Sequence, residues 1–350
     1  MSFSSQPMQP GMLHDAAVRV ASNGSTSEEH DVISELGWPL VLLPEEIGGL
    51  GGSLEDLTAL VEGLSAYASS LPVIERCAIA PLLLQAGGNT SWLADLADGK
   101  SSVAPLVCAR SHDLGRHTLE AQPTDDGYLL KGEMRGVDAL SSVTHWVAVA
   151  QLGSDLAIFV VEASQMPAPE SRYSSMDGRL SANFCLNEIK VPASHCIAKG
   201  VIASQAVARA SQAALAMICV DSVSVLGAMV EHTVNYLNSR VQFGVTLSTF
   251  QALRHQLVNV YMCYESGRGM VTNFLEELGR DPSADARRLS LVKLALGESA
   301  RYSAETVIQL HGGMGMTQEM LAARLAQRLL TNEFRYGDRF THSALLTLSH

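Results

Sequence analysis

TVIQLHGGMGMTQE, residues 306–319, is the stretch whose reading decides the fold. Its first half carries an apolar stripe at helical spacing, and its second half, HGGMG, strips the side chains from Gly312, Gly313 and Gly315. Such a backbone admits close approach by a bound group or by packed backbone. Two further runs work with it: RVQFG at 240–244 and FQALRHQL at 250–257.

Outward from these runs the C-terminal part reads as helix throughout. One long apolar helix runs from about 201 and ends before Gly244, a second covers the FQALRHQL region, a third spans Pro282 to about Leu310, and a fourth runs from Glu319 to about Arg335. Their Ala, Leu, Val and Met content suits a helix bundle. Between about 103 and 200 the period changes to short strand candidates, SSVAPLVCAR, GYLLKGEMRGV, HWVAVAQLG, LAIFVVEA and LSANFCLNEIKV, parted by Gly, Asp, Ser and Pro turns. No helix of crossover length separates them, which argues against a Rossmann-type parallel sheet and for a small barrel or sandwich. The first third is helical: a capping signal at Thr26 or Ser27 precedes Ile33, LVLLPEEIGGLGG runs into a glycine-rich turn, Ser53 with Asp56 can cap a helix, and an apolar helix covers about 73–86. The expected class is α+β, with an N-terminal helical domain over 1–102, a central β domain over 103–200 and a helical bundle over 201–350.

Composition bounds the function. The chain has 350 residues, 47% of them hydrophobic, enough for a substantial core. A formal charge of −12 argues against a surface that gathers nucleic acid or anionic lipid. No uninterrupted apolar stretch of membrane-spanning length is read, and MSFSSQPMQPGM has no signal-peptide pattern, so a soluble, cytoplasmic protein without a membrane span is expected. Six scattered cysteines form no CxxC pair, and the eleven histidines show no metal-ligand spacing, so redox chemistry would come from something bound.

Three constellations carry chemistry. Arg240 can place a rigid donor fork on a pyrophosphate, Phe243 can cover a ring face, and Gly244 can terminate the helix. The same residues also suit a surface arginine, a packing phenylalanine and a routine C-cap. Gln251 and His255 share a helix face one turn apart, as cofactor contacts or as helix-contact residues. Gln309 precedes the glycines and can read a carbonyl and a ring nitrogen together, while Gly312, Gly313 and Gly315 either admit a cofactor or form a plain interhelical turn. The run is neither a P-loop nor a GxGxxG dinucleotide loop.

In this order and spacing, the three runs resemble the acyl-CoA dehydrogenase family. The resemblance extends to ELGWPLVLLPEEIGGLGGSLEDL at 35–57 and MDGRLSANFCLNEIKVPA at 176–193, and so covers nearly the whole chain. It implies a flavoenzyme in which helical domain, β domain and four-helix bundle enclose FAD. It further implies oxidation of an acyl-CoA thioester to a trans-2-enoyl-CoA, with an electron-transfer acceptor downstream. Arg240, Gln242, Phe243 and Gln251 become FAD-facing candidates, with Gln309, Gly312, Gly313 and Gly315 supplied by a neighbouring subunit.

The resemblance also exposes a missing piece. Where the family places its catalytic glutamate, before a glycine some two dozen residues after GG, this chain has Tyr336 before Gly337. A phenol with a reference pKa near 10 is a poor resting base. The alternative glutamate position early on the long helix, near Ala214 and Leu215, is also vacant. Asp221 follows on that helix, where burial could raise its pKa and make it a base, or where it could be structural. Glu333 and Asp338 flank Tyr336, the latter able to fix the loop. The YGD arrangement resembles the smaller-subunit branch, including pimeloyl-CoA dehydrogenase small subunits and heteromers acting on sterol side chains or rings. That branch implies a homologous larger subunit, or self-association, with the chain as a catalytic subunit or a non-catalytic flavin-binding or structural partner.

Overall fold

The computed structural model describes residues 2–24, 31–88, 91–116, 119–138, 143–280 and 286–347. Thr26, Ser27 and Pro282 therefore lie outside the described residues. Contacts divide the chain into two compact units, one of 1–25, 58–69 and 216–350, the other of 26–57 and 70–215.

The second unit carries the short N-terminal elements and the sheet. Helix α2 (Val32–Glu35) is capped by Asp31, whose carboxylate accepts from the Ser34 amide at 3.2 Å. Asp31 also pairs with Arg76, which is 2% exposed and reaches the Ser102 hydroxyl at 2.7 Å. In the glycine-rich turn a Cβ on Gly49 would stand 2.1 Å from the Leu43 carbonyl oxygen, so no side chain fits there. Ser53 and Asp56 form the expected reciprocal cap at the start of α3 (Leu54–Ser65), whose residues from Thr58 on belong to the first unit: the Glu55 amide donates to Ser53 Oγ at 3.1 Å and the Ser53 amide to Asp56 at 2.8 Å. The expected helix over 73–86 is helical but irregular, a π turn over Glu75–Ile79 leading into α4 (Ala80–Leu84) and a 3-10 turn. Helix α5 (Ser91–Ala97) then leads to the strands.

These are β1 (Val103–Leu106), β2 (Leu119–Thr124), β3 (Gly127–Asp138), β4 (His145–Leu152), β5 (Asp155–Glu162), β6 (Ser171–Ser174), β7 (Leu180–Pro192) and β8 (Cys196–Lys199). They pair in the order β6-β7-β3-β2-β4-β5-β8, with β1 on β4. β1 and β2 both run parallel to β4 and the other pairs are antiparallel. The path ends at β6 and β8, so this mixed sheet is a sandwich and not a closed barrel. Leu106, Leu119, Leu130, Met134, Trp146, Phe159, Phe184 and Val191 fill its core, with the Trp146 and Phe184 rings edge-on at 5.6 Å. β2, β6 and β8 escaped the sequence reading: β6 and β8 are short, and in β2 only Leu119 and Ala121 are buried. β6 is exposed at every residue, so no apolar alternation marks it.

The first unit holds α1 (Met12–Ser22) and the bundle: α6 (Val201–Ser239), whose first residues belong to the other unit, α7 (Gln251–Arg280), α8 (Ala286–His311), α9 (Leu321–Asn332) and α10 (Arg339–Thr347). α10 was not anticipated. Asp338 caps it, accepting from the Thr341 amide and hydroxyl, each at 2.8 Å. Helix α6 is long and apolar enough to cross a membrane by length and composition, but 94% of its most apolar window is buried inside the protein. A core helix passes the same hydropathy test as a membrane span.

Candidate functional site

The end of α6 departs from expectation. Gly244 does not terminate the helix, which stops at Ser239. Instead β9 (Val241–Gln242) and β10 (Val245–Thr246) form a hairpin around a two-residue turn in which Phe243 and Gly244 both have positive φ, 56° and 80°. Tight hairpin turns demand this conformation, for which glycine suits and phenylalanine does not. Phe243 is also 91% exposed. A strained aromatic held in solvent contributes nothing to the core, which makes the hairpin a candidate functional element.

The hairpin lies beside the glycine run. The Tyr236 ring, one turn before Arg240, stacks on the His311 ring with centroids 4.4 Å apart and planes 25° apart. Tyr236 Oη donates to the His311 carbonyl at 3.2 Å. The C-terminal ends of α6 and α8 therefore meet, and the hairpin joins α6 to the start of α7. Arg240, Gln242, Phe243, Gln251, Gln309, Gly312 and Gly313 all belong to this end of one bundle, and all are exposed. The resemblance assigned RxxFG and the Gln309–Gly315 segment to different subunits. Each chain carries both segments at one end of its bundle, joined by the Tyr236–His311 junction.

The set fits a large polar cofactor. The Arg240 guanidinium makes no hydrogen bond or ion pair among the described residues, so its donor fork is free. A Cβ on Gly312 or Gly313 would meet nothing within 4 Å, so open space adjoins the backbone there. Gly315 differs: it is buried, and its Cβ would stand 2.6 Å from the Ile308 carbonyl oxygen. Gly315 closes the turn against the end of α8.

The two base candidates sit elsewhere in the bundle. Asp221 is 1% exposed and faces Arg328, whose Nη2 donates to Oδ2 at 2.6 Å and whose Nε lies 3.2 Å from Oδ1. Asn332 Nδ2 adds a bond to Oδ1 at 2.9 Å. These bonds favour the structural alternative for Asp221, since removing its charge would leave a buried guanidinium unpaired. Tyr336 is 1% exposed with φ 54°. Its carbonyl accepts from His342 Nε2 at 3.0 Å, and the Arg335 guanidinium stands 5.4 Å over its ring. Glu333 is buried beside Arg339, 3.5 Å away. Asp338 fixes the loop by capping α10, and the Thr341 amide holds its carboxyl below the usual range.

Sequence reasoning passed over three residues. His311 stood inside the quoted glycine run, and Tyr236 lies one turn before Arg240. Lys293 is the third, in the apolar run LSLVKLAL, where a lone lysine was the available signal. It is 5% exposed and donates to the Asn332 carbonyl, and burial pushes its pKa down to about 8.

Known proteins agree with this architecture. Residues 205–341 match the family model described as acyl-CoA dehydrogenase, C-terminal domain. The chain is 23% identical over 312 residues to the acyl-CoA dehydrogenase IpdE2 of Mycobacterium tuberculosis, covering 87% of this chain and 81% of that protein. Among solved structures, the ChsE4-ChsE5 complex from Mycobacterium tuberculosis has a chain that superposes with TM-score 0.81 at 19% identity, covering 96% of this chain and 95% of that one. Butyryl-CoA dehydrogenase from Megasphaera elsdenii superposes with TM-score 0.81 at 16% identity, covering 98% and 99%. The C-terminal part of the chain thus matches the acyl-CoA dehydrogenase model, relatives described as acyl-CoA dehydrogenases span most of its length, and the whole chain shares the fold of the solved structures.

Proposed function

We propose that the chain is an FAD-binding subunit of an acyl-CoA dehydrogenase, acting in α,β-dehydrogenation of an acyl-CoA thioester beside a homologous larger subunit. The observation that carries this reading is the exposed end of the bundle, where a free arginine, a strained aromatic and two open glycines gather. Arg240 would hold the cofactor pyrophosphate, with Gln242, Phe243, Gln251 and Gln309 around the adenosine and the Gly312–Gly313 backbone admitting it. When bound, FAD supplies the hydride acceptor for the substrate's β carbon. An electron-transfer protein would serve as the downstream acceptor.

Removing the α proton requires a base within reach of substrate. Asp221 is committed to Arg328, Glu333 to Arg339, and Tyr336 is a buried phenol. These engagements support a base supplied by the partner subunit. A relative that forms a two-component complex adds support. A non-catalytic structural partner is the second reading, favoured by the same tyrosine at the base position.

The experiment is spectroscopic. The chain purified alone should bind FAD, and candidate acyl-CoAs should leave its visible absorption unbleached under anaerobic conditions. Co-expression with the homologous partner should restore bleaching. Bleaching by the isolated chain would refute the partner-supplied base, and absence of flavin from both preparations would refute the cofactor reading.

A further inference from the structure

We propose that His311 is a positioning residue for cofactor binding, its ring latching the Arg240 hairpin to the glycine turn only while the imidazole is neutral. This rests on the cofactor reading above.

The latch has three parts. The ring stack on Tyr236 and the Tyr236 Oη bond to the His311 carbonyl join the ends of α6 and α8. His311 Nδ1 lies 2.9 Å from the Val307 carbonyl oxygen. A carbonyl only accepts, so Nδ1 carries the proton and Nε2 is a bare acceptor. His311 is 3% exposed, and its Nε2 has no hydrogen-bond partner among the described residues. Finally, the turn folds tightly over the residue, since a Cβ on Gly315 would stand 3.1 Å from the His311 Cβ.

An unpaired buried acceptor destabilises the fold, and phenylalanine would stack equally well without it. What phenylalanine lacks is titration. A second proton on His311 would place a buried charge on Nε2, where no acceptor among the described residues meets it. The charged groups around the junction reinforce this. His232 on α6 adds repulsion to protonated His311, while Glu231 on α6 and Arg324 on α9 act on His232 in opposite senses. Burial first, and His232 second, lower the His311 pKa, against the bond to Val307. A base depressed on folding contributes stability that is full above the ordinary imidazole value of 6.5 and lost as pH falls below it. Acidification should therefore part the hairpin from the glycine turn.

The test uses the full chain and FAD itself, titrated by flavin fluorescence. Wild-type Kd should rise about tenfold between about pH 8 and about pH 5.5. His311→Phe should show the same Kd at both pH values, whatever that Kd is, and Tyr236→Phe should weaken binding a few-fold at both. Hydrogen exchange of amides 240–246 and 312–316 in the cofactor-free chain, corrected for intrinsic rates, should rise together in acid for wild type and not for His311→Phe. An equal acid response in His311→Phe, or independent opening of the two segments, would overturn the latch. If wild type bound no FAD, the cofactor reading would fail, while the exchange data would still decide whether the two segments are coupled.

Discussion

The bundle handles polar side chains in two opposite ways. In its interior, Asp221 on α6, Lys293 on α8, and Arg328 and Asn332 on α9 hydrogen-bond within one cluster, every one of them at most 5% exposed. At the ends of α6 and α8, Arg240, Gln242, Gln251 and Gln309 stand exposed around an exposed phenylalanine and open glycines. Similar residue types thus serve two purposes. A buried charge must be met from within the fold, whereas a binding surface keeps its donors free. Occupied partners indicate structure and free partners indicate ligand. By that criterion Asp221 groups with the scaffold and Arg240 with the candidate site.

Breaking the interior pair should have the largest effect. Asp221→Ala leaves Arg328 buried and unpaired, and should cost about 3–5 kcal/mol in urea unfolding. The folded fraction should still bind FAD. An unfolding loss near zero would mean that the pair does not carry the core.

Lys293 sharpens the same contrast through pH. Its pKa falls from 10.5 to about 8, chiefly by burial, so the folded state sheds its proton before the unfolded state does. The stability contributed by this group is full above 10.5, is lost as pH falls through the window down to about 8, and is flat below it. Wild type should therefore gain on Lys293→Met as pH rises through that window, by at most about 3 kcal/mol. Unfolding curves at several pH values measure it. A constant difference would place the ammonium in contact with water.

The exposed end predicts the reverse pattern. Arg240→Ala should weaken FAD binding about 30-fold, equivalent to about 2 kcal/mol, while unfolding stability changes by under about 0.5 kcal/mol. Equilibrium dialysis with a parallel melt reads both quantities. A stability loss exceeding the binding loss would return Arg240 to the scaffold and erase the distinction between the two regions.

Much of this was legible from residues alone. The reciprocal cap at Ser53 and Asp56, the start of α7 at Gln251 and five of the strands follow from local pattern, because caps and periodicity act within a few residues. The hairpin at Phe243 was not legible, since phenylalanine at positive φ violates the local preference that sequence reading relies on. Strand β6 and helix α10 lacked a strong apolar signature, and the partner of Asp221 lies 107 residues away.

The sequence by itself determined the order of helices and strands, the glycine-rich run and the absence of a glutamate at position 336, because each is a property of neighbouring residues. Only the tertiary structure decided which polar groups are used up and which remain free. It paired Asp221 with Arg328 and set Tyr236 against His311, which brought the two halves of the candidate site to one end of one chain. The physical reason is that a side chain's charge and exposure depend on neighbours distant in sequence, which packing of the helices brings together.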